Sequence, residues 1–325
     1  MSHVHFSKDD RIKLSALIEA KISIRQCAWQ LGFSPPAVSK EIKRNGGRRK
    51  YNPKHAHKQY MSIRKNANQC HRKLGKDQKL TNTVITLLKM DWSPEQIVGR
   101  TLLELDHQLT SFTSIYNYIN PRKELHYLLP RKCNKYRRTK AGNERKKLRE
   151  YLNQKRSIDI RPAIVNNRKR IGDWEGDTIV GKEKTSRILT HVDRKSRYLL
   201  TDILHIVSAE LIRIKSVKMF KTIAKKKKYT ITYDNGVEFS DYEHMEKQMN
   251  INIYFAHQYH SWERGTNENT NGLIRRYFPK GTEFSNISKR VLKKVTEKIN
   301  HRPRKVLGYK MPHEVFHGVN FRTLM

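Results

Sequence analysis

Gly172-Asp-Trp-Glu-Gly-Asp-Thr-Ile-Val-Gly181 and, just downstream, Arg187-Ile-Leu-Thr-His-Val192 decide the fold class of this chain. The first predicts a strand over Asp173–Gly181 and the second a strand over Arg187–Val192. A third strand, Arg197–Ile206, follows the turn residues Asp193-Arg-Lys-Ser196. Reading onward, Ser208 starts a helix to about Ala224, and Tyr229–Tyr233 is a short apolar strand. Ser240-Asp-Tyr-Glu243 reads as a capping box for a helix to about Asn250. Ile251–Ala256 is a fifth strand, and helices follow near 266–277 and 288–300. The order β-β-β-α-β-α-β-α predicts a mixed five-stranded sheet flanked by helices, an α/β domain over 161–325.

Upstream, the texture is helical throughout. Over 1–50, Ile12, Leu14, Leu17 and Ile18 give one apolar face. Ser23-Ile-Arg-Gln26 is a capping box for a second helix ending at Leu31, Gly32 is the turn, and Ser34 with Pro35 opens a third helix to Arg44. Helix, glycine turn, helix is the helix-turn-helix arrangement. Ala28, Leu31, Val38 and Ile42 are expected in its core. Pro36, Ala37, Ser39, Lys40, Lys43 and Arg44 are left to face a DNA groove, although the same pattern also fits a plain three-helix bundle. A second helical unit is expected over 51–125. There Ser93-Pro-Glu-Gln96 caps a helix holding Ile97, Val98 and Leu102, and Thr110–Ile119 is another helix. This unit is read as a further DNA-binding element or a helical hairpin. Residues 126–160 form a basic connector. Twelve of the 26 positions over 131–156 are Lys or Arg, a composition suited to phosphate contacts that position without reading sequence.

Composition agrees with a polyanionic partner. The 325 residues hold 68 Lys+Arg against 30 Asp+Glu, a formal charge of +38. Such a surface repels itself unless phosphates neutralise it. Ribosomal and chromatin proteins share that property, so charge alone does not separate them from a DNA enzyme. Hydrophobic residues make up 36%, enough for real cores. Three cysteines without a CxxC pair exclude a disulfide framework and fit a reducing compartment. No apolar run approaches a membrane span, so a cytoplasmic, nucleoid-associated chain without membrane contact is expected. His55, His57, Cys70 and His71 lack the paired cysteines of a zinc site, and His257 and His260 have no partner at ligand spacing.

Three acids fall at informative places: Asp177 within the first strand, Asp234 directly after the fourth, and Glu268 early in the helix after the fifth. If the first and fourth strands are parallel neighbours, the aspartates come side by side. Phosphodiester chemistry needs such a cluster, because hard divalent ions take oxygen ligands and leave room for phosphate oxygens. Residue types alone do not select this triplet. Asp173, Glu175, Glu238 and Glu263 lie nearby, and an Asp before Asn235-Gly236 is equally a turn former.

The selection comes from a resemblance. Ser261-Trp-Glu-Arg-Gly-Thr-Asn-Glu-Asn-Thr-Asn-Gly-Leu-Ile-Arg-Arg-Tyr-Phe-Pro-Lys-Gly-Thr282 resembles the insertion sequence thirty family of DDE transposases. So do Gly172–Asp177, Asp234-Asn-Gly-Val-Glu-Phe239, Arg194-Lys-Ser-Arg197, Asn300-His-Arg-Pro-Arg-Lys-Val-Leu-Gly308, Trp92-Ser-Pro-Glu-Gln-Ile97 and the helix-turn-helix. The likeness spans nearly the whole chain and is loose over 131–156 and 210–230. It implies an RNase H-like catalytic domain with Asp177, Asp234 and Glu268 as catalytic metal ligands. The 33 residues between the last two agree with the family's spacing. It further implies Mg²⁺, for which Mn²⁺ can substitute, and binding of terminal inverted repeats by the N-terminal half. Cleavage and strand transfer into target DNA by a homo-oligomer complete the expectation. Arg275, two helical turns past Glu268, is the expected contact to the transposon end. A hydrolytic nuclease of the same fold and a DNA-binding regulator with an inactive rear domain are the competing readings.

Overall fold

The computed structural model describes residues 5–70, 74–129, 155–257 and 260–323. The expected phosphate contacts of 131–154 lie outside them. Two compact units divide the chain, Met1–Asp77 and Gln78–Met325.

In the first unit α1 (Lys8–Glu19) opens with a capping box, Ser7 Oγ accepting from the Asp10 amide at 3.0 Å and Asp10 from the Ser7 amide at 2.8 Å. The expected box at Ser23 and Gln26 opens α2 (Ile24–Leu31), which ends at Gly32 in the left-handed region. That turn delivers the chain to α3 (Pro35–Arg44), begun by Ser34 and Pro35 without a side-chain cap. Leu14, Cys27, Ala28, Val38 and Ile42 form the core. Leu31 is only half-buried and Ile12 is 49% exposed, so the apolar stripe of α1 is narrower than its periodicity suggests. A buried ion pair, Arg11 to Glu41 at 2.7 Å, ties α1 to α3. Helix α4 (Pro53–Cys70) packs on α1, where the Arg11 guanidinium lies 4.6 Å from the Tyr60 ring centre. Residues 51–77 of the segment expected as a second helical unit fall in the same compact unit as these helices.

The rest of that segment opens the second unit: α5 (Gln78–Lys89), α6 (Pro94–Leu105) and α7 (Phe112–Ile119). Ile97, Ile115 and Ile119 are buried as their spacing predicts, whereas Leu102 is 49% exposed. Helix α6 has a different face to bury. Arg100, 1% exposed, donates to both carboxylate oxygens of Glu314 at 2.7 and 2.8 Å and to Glu104 at 2.6 Å. Gln96 completes the α6 cap, donates to the Pro303 carbonyl at 2.7 Å and accepts from Arg302 at 2.9 Å. These bonds fasten α6 to the end of the chain, so the helices from 78 onward fold with the sheet.

After α8 (Ala163–Asn166) come β1 (Asp173–Val180), β2 (Arg187–Asp193), β3 (Leu199–Leu204), α9 (Ala209–Lys221), β4 (Thr230–Tyr233), α10 (Tyr242–Met249), β5 (Asn252–Phe255), α11 (Gly265–Tyr277), α12 (Lys289–Asn300) and α13 (Pro312–His317). The sheet order is β3-β2-β1-β4-β5. The first three strands are antiparallel, and β4 and β5 join in parallel. This is the RNase H-like arrangement. Trp174, Ile231, Tyr233 and Ile253 pack against α9 and α10. Ile179, Ile188, Leu199 and Ile203 pack against α11 and α12.

Two expectations are corrected. β3 begins at Leu199, because Asp193 accepts from the amide and hydroxyl of Ser196 and holds Arg197 in the left-handed region. The residues Val237–Phe239 form a 3-10 turn, so α10 starts after Asp241 and Ser240 caps nothing.

Candidate active site

Strand register brings the first two acids together. Asp173, Trp174 and Glu175 of β1 stand beside Thr230, Ile231 and Thr232 of β4. Two residues further along each strand, that register sets Asp177 opposite Asp234. Gly176, directly before Asp177, must lack a side chain. A Cβ there would lie 2.1 Å from a ring carbon of Tyr233.

Alternation along β1 sends Glu175 and Asp177 to the face that α11 covers. Glu175 is fully buried and accepts from the Asn267 amide at 2.8 Å, holding the first turn of α11 against the strand. One turn later Asn271 donates to Asp177 Oδ2 at 2.8 Å, while the Thr178 amide binds Oδ1 at 2.8 Å. Asp234 accepts from the Gly236 amide at 3.1 Å.

Charge pairing separates these two aspartates from the other nearby acids. Asp173 pairs with Arg170, Glu175 with Arg194, and Glu238 with Arg187. Glu263 pairs with His257, which also reaches Asp159, so the histidine that lacked a partner by spacing bridges two acids. Among the described residues one guanidinium, that of Arg264, pairs with both Asp177 and Asp234, 3.6 Å from the first and 3.2 Å from the second, while the Lys155 ammonium also feels the charge of Asp234. Burial, and then the charge of Asp234, push the Asp177 carboxyl up to about 6 against the pull of Arg264. Two carboxylates with one arginine between them, and one held reluctant to ionise, are a donor set that a further cation relieves. Hard oxygen donors of this kind fit a divalent ion such as Mg²⁺.

Glu268 lies on the first turn of α11, three residues before Asn271 and four after Arg264, which places it on their flank of the helix. Its side chain is exposed. Among the described residues no three His, Cys, Asp or Glu side chains are grouped closely enough to hold an ion. The structure thus brings two of the three expected acids together and leaves the third beside them. Arg275 donates to the Val180 carbonyl at 2.7 Å, with its guanidinium 5.4 Å from the Phe284 ring centre. On α3, Ser39, Lys40, Lys43 and Arg44 are exposed along with Pro36, while Ala37 is half-buried against the core. Sequence reasoning missed Arg264, Asn271 and the anchoring role of Glu175. The one signal for the first two was their place in the same motif, one turn either side of Glu268.

No family model matches the chain. It is 37% identical to the transposase for insertion sequence element IS4351 of Bacteroides fragilis over 318 residues, 96% of this chain and 95% of that one. It is 34% identical over 320 residues to transposase InsI for insertion sequence element IS30A of Escherichia coli, covering 96% of this chain and 83% of that one. A putative integrase of Spiroplasma virus SpV1-R8A2 B is 26% identical over 96% of this chain and 98% of its own length. Among solved structures, a chain of the simian T-cell lymphotropic virus intasome aligns with TM-score 0.39 and 19% identity, over 48% of this chain and 61% of that one. The catalytic core domain of BIV integrase aligns with TM-score 0.36 and 15% identity, over 46% and 95%.

Proposed function

The chain belongs to the insertion sequence thirty (IS30) family of transposases, DDE-type polynucleotidyl transferases, and from that premise we propose that it binds the terminal inverted repeats of its own element and cuts and joins them to target DNA. The observation that carries this reading is the register that sets Asp177 beside Asp234 with one arginine for two carboxylates. Asp177, Asp234 and Glu268 are the residues to hold Mg²⁺, or Mn²⁺ in its place. When bound, the divalent ions supply activation of the attacking oxygen and charge stabilisation at the leaving oxygen.

The chain's own groups then have definite tasks. Asp177 gives up its proton above a pH of about 6, and Asn271 and the Thr178 amide fix which of its oxygens faces outward. Glu175 holds the helix that carries Glu268 and Asn271. Arg264 offsets carboxylate repulsion in the free protein and must turn away from the aspartates when another cation takes its place. In the first step a water oxygen attacks phosphorus at the element's end and the 3′-oxygen leaves with a proton. In the second, that 3′-hydroxyl attacks a target phosphodiester in line and the displaced oxygen is protonated, so no protein–DNA bond forms. Ser39, Lys40, Lys43 and Arg44, with Ala37 beneath them, are the face of α3 offered to the DNA groove, and Arg275 is assigned to the transposon end. Cutting two ends together calls for at least two protomers. No helix of the described residues is long and apolar enough to cross a membrane, and a chain that cuts and joins its element's DNA is assigned to the nucleoid.

The test is a strand-joining assay with the element's ends and Mg²⁺, comparing wild type with Asp234→Asn. Joined products from wild type alone are expected. Nicks without joined products would make the chain a nuclease. Joining by the variant would remove Asp234 from the site.

A further inference from the structure

We propose that a cavity on the flank of α11 seats a second phosphate of the bound DNA strand, an inference that rests on the strand-transfer reading above. The cavity, about 270 Å³ in volume, is lined by Arg168, Arg197 and Arg304 together with Gly265, Asn269 and Thr270. No carboxylate is among its lining residues.

Three guanidinium groups facing one space without an acid are costly in a free protein, because like charges repel and desolvation weakens their hydration. The cost is visible in the groups themselves. Burial, and then the neighbouring Arg302 and Arg197, push Arg304 down to about 9. Burial and then Arg168 lower Arg197. Both Arg197 and Arg304 keep a buried Nε without a hydrogen-bond partner, and buried donors of that kind are uncommon unless something else satisfies them. One terminal nitrogen of each holds the side chain in place: Arg197 Nη1 donates to the Thr266 hydroxyl at 2.6 Å and Arg304 Nη2 to the Ile299 carbonyl at 3.2 Å. Gly265 is the first residue of α11, so the amide end of a 13-residue helix adds partial positive charge at the same place. An anion answers all of these features at once.

The residues also account for motifs that the carboxylate chemistry leaves unused. Arg197 closes the Arg194–Arg197 motif, Arg304 lies within Asn300–Gly308, and Gly265, Asn269 and Thr270 belong to the long motif around Glu268. Three separated stretches converge on one cavity. Thr270, in its lining, precedes Asn271, which bonds Asp177. At 3.6 residues per turn the cavity and the aspartates sit on adjoining flanks of one helix. A phosphate held in the cavity therefore belongs to the strand whose scissile group lies at Asp177 and Asp234, and it fixes that strand's path.

The experiment measures binding of the full chain to a duplex oligonucleotide carrying the element's end, in chelator, across a range of salt, for wild type and Arg168→Gln. Arg304→Gln serves as the second variant. Expected is a slope of log affinity against log salt that falls by about 0.9, the value of one phosphate contact. The melting temperature of the free variant should equal or exceed that of wild type. An unchanged slope with a lowered melting temperature in both variants would make the arginines structural and overturn the proposal. If inorganic phosphate raises the melting temperature of wild type but not of Arg168→Gln, and the slope is unchanged, the cavity takes free phosphate and the DNA assignment fails. Strand joining is read separately. Joining with an unaffected slope removes the cavity alone, and an affected slope without joining removes the catalytic reading alone.

Discussion

Replacing Asp177 by Asn should stabilise the free protein at pH 8 and do little near pH 4. Asp177 is 22% exposed in its side chain and is raised from 3.8 to about 6, first by burial and then by Asp234. A carboxyl whose value is raised on folding prefers to stay protonated in the fold. Below 3.8 both states carry the proton and the fold loses nothing. As pH rises from 3.8 through about 6 the unfolded chain ionises first, and stability falls. Above 6 the loss is complete. With each pH unit worth 1.36 kcal/mol, the difference amounts to at most about 3 kcal/mol. Asn stays neutral at every pH and can still accept from the Thr178 amide; its NH2 then faces Asn271, whose amide turns over to accept from it, and Arg264 is left to Asp234. For a unit the size of Gln78–Met325, each kcal/mol moves the melting temperature by about 2–4 °C, so the gain at pH 8 is at most about 6–12 °C. Calorimetric melting of both proteins in chelator, at pH 8 and near pH 4, reads this directly. Adding Mg²⁺ or Mn²⁺ at pH 8 should then raise wild type and not the variant. A variant less stable than wild type at pH 8, or a difference that ignores pH, would refute the reasoning.

Arg264→Gln removes the cation that a divalent ion must displace. Titration calorimetry should show Mn²⁺ binding tightened severalfold, and weaker binding would mean that Arg264 assists rather than competes. Arg100→Met strands the buried Glu314, whose ion pair among the described residues is to Arg100, an outcome worth about 3–5 kcal/mol by denaturant unfolding. A loss under about 1 kcal/mol would show that these buried pairs do not fasten α6. Lys40→Ala with Lys43→Ala should weaken binding to the element's end and lower the salt slope by about 0.9 for each lysine in phosphate contact. Wild-type binding by that double variant would remove α3 from the DNA face.

Much of the fold was legible because its signals are local. Alternation and flanking glycines set β1, and Ser23–Gln26 and Ser93–Gln96 form the boxes their spacing predicts. The α/β order of 161–325 led to the right kind of sheet. Errors arose where a distant residue outweighs a local pattern. Ile12 and Leu102 have apolar spacing, yet α1 and α6 bury Arg11 and Arg100 instead, because each arginine meets an acid far off in sequence. Ser240–Glu243 has the letters of a capping box, but the preceding 3-10 turn shifts the helix start. Arg264 was invisible for the same reason. An arginine beside a conspicuous glutamate looks like solvated charge until strand register puts two aspartates in front of it.

Helix α11 explains why the motif around Glu268 is so long. A metal ligand alone would ask for one residue on one face. Here Ile274 and Phe278 pack the sheet, the Asn267 amide is held by Glu175, Asn271 orients Asp177, and Gly265, Asn269 and Thr270 border an arginine-lined cavity. With 3.6 residues per turn, core, carboxylates and cavity each claim a flank, and few positions remain free to vary without loss to one of them. The placement of Glu268 follows from that helix. Its side chain is exposed beside Arg264, the only cation shared by Asp177 and Asp234 among the described residues. A third carboxylate adds little while a guanidinium already offsets the pair. It gains its role once a doubly charged ion replaces that guanidinium and still has oxygen positions to fill.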